Sequence, residues 1–189
     1  FLTTLWGIYK KALSTGYNQR IHLVILRTDY MLNECENNST CMKQVEVNTI
    51  SAGFGYVGGR ACQLHDEILK WFGVERDVAH MRAVNQPLAS LAQGFVQAWR
   101  LYNSPRAVVI FIVLDYEINI ADQRHLEYEI TRNEPGIEVV RCTLADLDEF
   151  GHLRDDMTLF YDEREVAIVY YRAGYDPSHY KSQRVSVTF

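Results

Sequence analysis

The sequence predicts an α/β protein, with a mainly parallel sheet flanked by helices and preceded by a helix-and-strand segment. Three observations carry that prediction. Ala107 to Leu114 is an unbroken apolar run rich in Val and Ile, as a strand covered on both faces requires. Downstream, helical and strand patterns alternate as far as Tyr171, which is the pattern of an α/β layer. Upstream, Lys43 to Asn48 alternates, with Gln44, Glu46 and Asn48 on one face and Val45 and Val47 on the other, which indicates a strand with one polar side.

Composition narrows the classes. The 189 residues are 48% apolar and 12% aromatic, enough to bury the core of one domain or of one and a half. A charged fraction of 23% with many tyrosines argues against disorder. A net charge of −5 with no basic cluster gives nucleic acid no footing. No apolar run approaches the roughly 20 residues that span a bilayer. A soluble chain with neither a nucleic-acid nor a membrane partner is expected. The chain starts at Phe1 without a signal-peptide pattern and ends in the strand-like Ser186-Val187-Thr188-Phe189, so both ends read as cut from something longer. Cys35, Cys41, Cys62 and Cys142 lack metal-ligand spacing. Cys35 and Cys41 flank an Asn-rich loop and could pair in an oxidising compartment; scattered reduced thiols in the cytoplasm are the reading adopted. Asn37 and Asn38 each begin a short N-x-[ST] match.

In chain order, Leu2, Leu5, Ile8, Tyr9 and Leu13 recur at helical spacing, and Gly16 suits a stop, so residues 2–15 are expected to form an amphipathic helix. Ile21 to Leu26 reads as a short strand, residues 33–41 as a polar loop, and Ser51 to Gly59 as a loop in which four glycines admit close backbone approach. Leu64, Ile68 and Trp71 mark a helix ending near Gly73. Pro87 opens a longer helix with Leu88, Leu91, Phe95, Ala98, Trp99 and Tyr102 on one side. Asn103-Ser104-Pro105 is the best internal boundary, dividing residues 1–103 from an α/β domain over 104–189. Beyond it come the apolar strand, a helix over Asp122–Arg132, a strand Ile137–Arg141, a helix near Leu144–Glu149, and a hairpin of Thr158–Tyr161 with Val166–Tyr171.

Ligands of open α/β sheets sit beyond the carboxyl ends of the strands. Two such ends carry polar groups: Glu117, Asn119, Asp122 and Gln123 after one, Arg172, Gly174 and Tyr175 after the other. Asn119 and Gln123, four residues apart, share a helix face. Asp122 also suits an N-cap, and Tyr175-Asp176-Pro177 also suits a turn. Arg27 could grip a carboxylate with its fork or pair with Asp29. Glu46 and Asn48 offer hard oxygen donors to a divalent cation, beside a Ser/Gly loop suited to an anionic ligand; a half-exposed strand with a turn fits the same pattern. Together they outline a crevice for a small carboxylate-bearing molecule.

Four blocks resemble the eukaryotic-type glutathione synthetase family: Arg27-Thr28-Asp29-Tyr30-Met31-Leu32, Lys43 to Ser51, Asn119-Ile120-Ala121-Asp122-Gln123, and Ile168 to Tyr175. They stand in the family's order at similar spacing over nearly the whole chain. The resemblance implies the substrate domain of an ATP-grasp-type ligase. Such an enzyme joins γ-glutamylcysteine to glycine, using ATP and Mg2+, through an acyl phosphate. By position it assigns Mg2+ to Glu46 and Asn48, with Glu46 also at the nucleotide. It assigns the dipeptide to Arg27, to Ile50, Ser51, Ala52 and Gly53, to Glu117, Ile118 and Asn119, to Gln123, and to Arg172, Ala173, Gly174 and Tyr175. No side-chain nucleophile is implied, since phosphoryl transfer asks mainly for positioning and charge neutralisation. The family's full-length members form homodimers.

The chain also departs from the family. Gly53 stands where the family has a serine and Ile118 where it has an arginine, and Lys181 to Val185 replaces a Trp-containing segment. Gly53 to Gly59 lacks the Gly-Lys-Ser/Thr of a phosphate cradle, and the family's Gly-rich lid and phosphate-binding lysines are expected only after residue 189. The 189 residues alone are therefore expected to be inactive. Two rival readings are a non-catalytic module for γ-glutamyl peptides and an inactive fragment that needs a partner chain.

Overall fold

The computed structural model describes residues 1–16, 19–36, 39–74, 80 and 84–180. The readings that fall on Asn37, Asn38 and residues 181–189 lie outside them. The core is a five-stranded sheet in the order β4-β3-β7-β6-β5, formed by β3 (Val108–Ile112), β4 (Val139–Cys142), β5 (Gly151–Leu153), β6 (Leu159–Tyr161) and β7 (Arg164–Tyr171). β3 runs parallel to β4 and β7, whereas β6 is antiparallel to both β7 and β5. The sheet is therefore mixed, not mainly parallel. The reason is local. Asp162 and Glu163 adopt left-handed φ values of 48° and 60°, a two-residue turn that can only join antiparallel neighbours.

β3 is buried along its whole length, as its apolar run requires. Val109, Phe111 and Val113 face one side, packing with Ala92, Phe95 and Val96 of α3 (Pro87–Tyr102) and Leu126 and Ile130 of α4 (Ile120–Asn133). Val108, Ile110 and Ile112 face the other, against Leu144 and Leu147 of α5 (Leu144–Phe150). Phe95, Phe111 and Tyr170 form an edge-on aromatic cluster, with both other rings about 5 Å from Tyr170. α3 begins with Pro87 in its first turn and closes on Asn103, left-handed at φ 63°. This helix packs on the sheet that follows it, so the Asn103-Ser104-Pro105 turn joins two parts of one layer. α5 opens with a reciprocal capping box between Thr143 and Asp146.

The N-terminal part departs further from expectation. α1 (Leu2–Ser14) forms, and Gly16 turns at φ 97°, but its apolar stripe has no buried residue. Residues 21–26 are not a strand; Leu23 and Ile25 pack against the sheet core as extended chain. The polar loop expected at 33–41 is largely strand. β1 (Arg27–Cys35) and β2 (Ser39–Asn48) form an antiparallel hairpin, paired from Arg27–Asn48 to Cys35–Ser39, with most residues exposed on both faces and so no alternation of burial to read. Cys35 and Cys41 are joined by a disulfide at a Cα separation of 6.1 Å, while Cys62 and Cys142 are free. The hairpin places the pair diagonally across its tip, which overturns the expectation of reduced thiols there and removes the support it lent to a cytoplasmic location. Most of Ser51–Gly59 is not loop either, since α2 starts at Gly55 and runs to Trp71. A Cβ on Gly55 would come within 2.6 Å of Leu91, so glycine here lets α2 lie close on α3.

Candidate functional site

The segment Thr49–Phe54 joins β2 to α2 and lies over the carboxyl ends of β3 and β7. Between them opens a cavity of about 760 Å³. Its wall contains eleven residues expected from sequence: Ile50, Ser51, Ala52 and Gly53; Glu117, Ile118 and Asn119; and Arg172, Ala173, Gly174 and Tyr175. These come from three stretches distant in sequence. The two parallel strands bring the last two stretches side by side, and the path of the hairpin brings the first over them.

Each group has a local reason for its place. Ser51 sits at φ 57°, where the chain reverses out of β2. Arg172 Nη1 is 3.4 Å from Gly53 O and 3.3 Å from the Tyr170 hydroxyl. A Cβ on Gly53 would fall 1.5 Å from that same Nη1. The guanidinium thus occupies the space of any side chain at 53, and a serine there would push it outward. Glu117 Oε1 accepts from the Leu114 amide at 3.1 Å. Asn119 stands at the N-cap of α4 but makes no capping hydrogen bond, leaving its amide available to the cavity it lines. Gly174 turns at φ 107°, its amide donates to His179 Nδ1 at 2.9 Å, and its carbonyl accepts from the Tyr180 hydroxyl at 2.8 Å. Burial pushes the Tyr180 hydroxyl above the ordinary tyrosine range, so it keeps the proton that it donates to Gly174 O.

Four expected residues do not line the cavity. Arg27 lies on the hairpin, where Nε and Nη2 hold Asp29 at 2.9 and 3.1 Å and Nη1 is 3.5 Å from Ser51 O. The ion pair with Asp29, one of the two readings of Arg27, is therefore present, and hydrogen bonding to Arg27 holds the Asp29 carboxyl below its usual range. Glu46 Oε1 accepts from Asn48 Nδ2 at 2.8 Å, and Asp29 faces Glu46 across the hairpin. Gln123 is 1% exposed, and its Oε1 accepts from Arg141 at 2.7 Å. Arg141 also pairs with the buried Glu127, so Gln123 belongs to a polar network behind the cavity wall. Its Nε2 has no hydrogen-bond partner among the described residues.

Sequence reasoning missed part of the wall: Leu23, Val24 and Ile25, then Phe54, Tyr116, Tyr171 and Tyr180. Residues 23–25 gave a signal, their apolar run, but it was assigned to a strand. Tyr116 and Ile118, 80% and 89% exposed, make the rim more apolar than a site for a charged peptide suggests.

A magnesium ion fits Glu46 and Asn48 by donor chemistry. The carboxylate is exposed, the amide carbonyl is not the atom spent on Glu46, and magnesium takes few protein oxygens while keeping several waters. Among the described residues no group of three or more His, Cys, Asp or Glu could hold a metal by itself. Further ligands to such an ion must come from solvent or from a bound phosphate.

The chain is similar to known proteins in sequence and in fold. A family profile described as eukaryotic glutathione synthase, ATP binding domain, matches residues 1–177. Human glutathione synthetase is 38% identical over 183 residues, 97% of this chain and 38% of that protein. The mouse enzyme is 39% identical over the same shares, and chloroplastic glutathione synthetase of Arabidopsis thaliana is 37% identical over 97% of this chain and 33% of its own length. The solved structure of a glutathione synthetase-like effector from Globodera pallida, in apoform, superposes with a TM-score of 0.72, covering 90% of this chain and 42% of that one at 22% identity. The chain spans little more than a third of the length of the curated relatives it matches.

Proposed function

Because the chain belongs to the eukaryotic glutathione synthetase family, a family of ligases of glutathione biosynthesis that use ATP, we propose that its cavity binds γ-glutamylcysteine for ATP-dependent ligation to glycine. The observation that carries this reading is Arg172, which lines the cavity and whose Nη1 rests on Gly53 O, while Arg27, paired with Asp29 outside the cavity, reaches the same short loop at Ser51 O. A guanidinium resting on a carbonyl at 3.4 Å, as Arg172 does, makes a long, weak bond that a ligand carboxylate can replace with a charge-assisted one. Asn119 and the Ser51 hydroxyl then orient the peptide through single hydrogen bonds. Ala173 is buried, and the Arg172 and Ala173 amides both donate to Ile112 O, which ties the chain leaving β7 to the end of β3.

Glu46 and Asn48 would hold Mg2+, which when bound neutralises phosphate charge. This chain's own contribution to the acyl-phosphate step is to fix the dipeptide carboxylate, shield it from bulk water and present it beside that ledge. In this reading the hairpin ledge and the cavity together form one side of the reaction site. Turnover by the 189 residues alone is not expected, and full-length pairing into homodimers carries over from the family.

Titration calorimetry with γ-glutamylcysteine, without nucleotide, tests the reading. The account expects saturable one-to-one binding, weakened at least tenfold in Arg172→Ala, the scale of a lost hydrogen bond to a charged group. Absence of binding, or equal binding by the variant, would refute it. Phosphate release with Mg-ATP and glycine should stay at background; sustained release would show that a larger part of the ATP site is present than proposed.

A further inference from the structure

Helix α2 starts without a cap of its own. Phe54 stands at its N-cap and offers no side-chain acceptor. The first amides of any helix lack intrahelical partners and need them from elsewhere. Here two of them find one on another helix, because Asp122 Oδ1 accepts from Tyr56 N at 2.8 Å and from Val57 N at 2.9 Å. Asp122 lies in the first turn of α4 and is only 3% exposed. It was a candidate cap for its own helix; instead it caps α2. The Tyr56 ring stacks on His125 one turn later, with centroids 3.5 Å apart, so the two helices are joined at this single point by a charge and by a ring.

A buried carboxylate is costly to keep unless it is hydrogen-bonded, and two amides at a positive helix end satisfy Oδ1, while Oδ2 has no partner among the described residues. The consequence reaches the cavity. Phe54 directly precedes the capped turn, and Thr49–Phe54 is the cavity's upper wall. We propose that Asp122 is a positioning residue: by capping α2 from α4 it fixes where Ser51–Phe54 lies over the ends of β3 and β7, and so where Gly53 O meets Arg172. α4 also begins with Asn119, which lines the same cavity. One helix therefore supplies a wall residue and holds the opposite wall in register with it. The ligand arm of the test below rests on the dipeptide reading; the loop arm does not.

The 189-residue chain is compared with Asp122→Ala and Asp122→Asn by peptide-resolved amide hydrogen exchange and by titration with γ-glutamylcysteine. In Asp122→Ala, exchange over residues 49–57 should quicken about tenfold or more while residues 108–112 stay protected, and affinity should fall by a similar factor. Asp122→Asn, which keeps an acceptor oxygen, should recover much of both. Unchanged exchange over 49–57 in Asp122→Ala overturns the proposal. So does quickened exchange with unaltered affinity, since the carboxylate would then merely stabilise. If Asp122→Ala loses protection over 108–112 as well, Asp122→Asn decides: loosening confined to 49–57 supports the proposal, and global loosening or none refutes it. If the unsubstituted chain takes no dipeptide, the functional reading fails, and the exchange data alone still decide whether Asp122 holds the loop.

Discussion

Strand β3 is buried at every position, whereas the β1–β2 hairpin keeps only Asp29, Cys35, Cys41 and Asn48 as much as half-buried. The two regions hold their shape by different means. The α/β layer is held by side chains packed on both faces of a sheet, with buried Glu127 paired to Arg141 and buried Asp122 held by two amides of α2. The hairpin is held by its ladder, the disulfide at its tip and the polar cluster of Arg27, Asp29, Glu46 and Asn48 at its base. Tyr30, Met31, Leu32, Met42 and Val45 stay exposed along it. The difference teaches that one region builds a wall and the other carries polar groups to it. The cavity exists only where the rigid ends of β3 and β7 meet the chain leaving the hairpin.

This contrast can be broken at its strongest point. Phe111→Ala removes a ring with no exposed surface from the centre of the aromatic cluster and should cost about 3–5 kcal/mol in a denaturant melt. Val45→Ala on the hairpin, at a residue 58% exposed, should change stability by less than about 0.5 kcal/mol. Comparable losses for both would show that the hairpin is packed in solution as the sheet is.

A smaller effect separates the regions by pH. Burial, reinforced by its hydrogen bond to Glu165, pushes the Tyr102 hydroxyl up from 10.0 to about 12. Its folded pKa is raised, so the bond stabilises fully below pH 10 and the contribution is lost as pH rises toward 12. A Tyr102→Phe chain should melt lower at neutral pH and lose its difference from the parent at the alkaline end. The smallest effect belongs to Asp29. Its carboxyl is lowered by Arg27, so its contribution is present above the ordinary carboxylate range and disappears as pH falls through the depressed value. On so exposed a pair, Asp29→Asn should hardly move the melt at neutral pH. A marked drop would mean that the cluster at the hairpin base is structural.

Much of the layer could be read in the sequence because its signals are local. The apolar run of β3, Pro87, Asn103, and the Thr143–Asp146 capping box each announce their structure within a few residues. The hairpin was harder to read, since a strand with no buried face lacks the alternation of polarity that periodicity detects. Gly55, Gly58 and Gly59 read as loop but are helical, because packing on α3 outweighs their poor propensity. At the site, the resemblance identified the wall residues, yet only the structure shows that Arg172 lies in the space of an absent side chain at 53, that Asp29 occupies Arg27, and that Gln123 is turned to Arg141. The Arg27–Asp29 pair was one of two readings the sequence left open; the other two contacts leave no trace in local pattern, for each joins residues distant in sequence.

The central claim is that Arg172, in the cavity wall, and Arg27, outside it, act on one ligand through the loop they share. A double-mutant cycle on γ-glutamylcysteine affinity, using Arg27→Lys, Arg172→Lys and both together, tests it most directly, because groups that share a ligand or a loop do not act additively. The account predicts that the double variant loses measurably less, or more, than the sum of the single losses, by at least about 0.5 kcal/mol. Losses that simply add, or an Arg27 variant that binds as tightly as the parent, would contradict it.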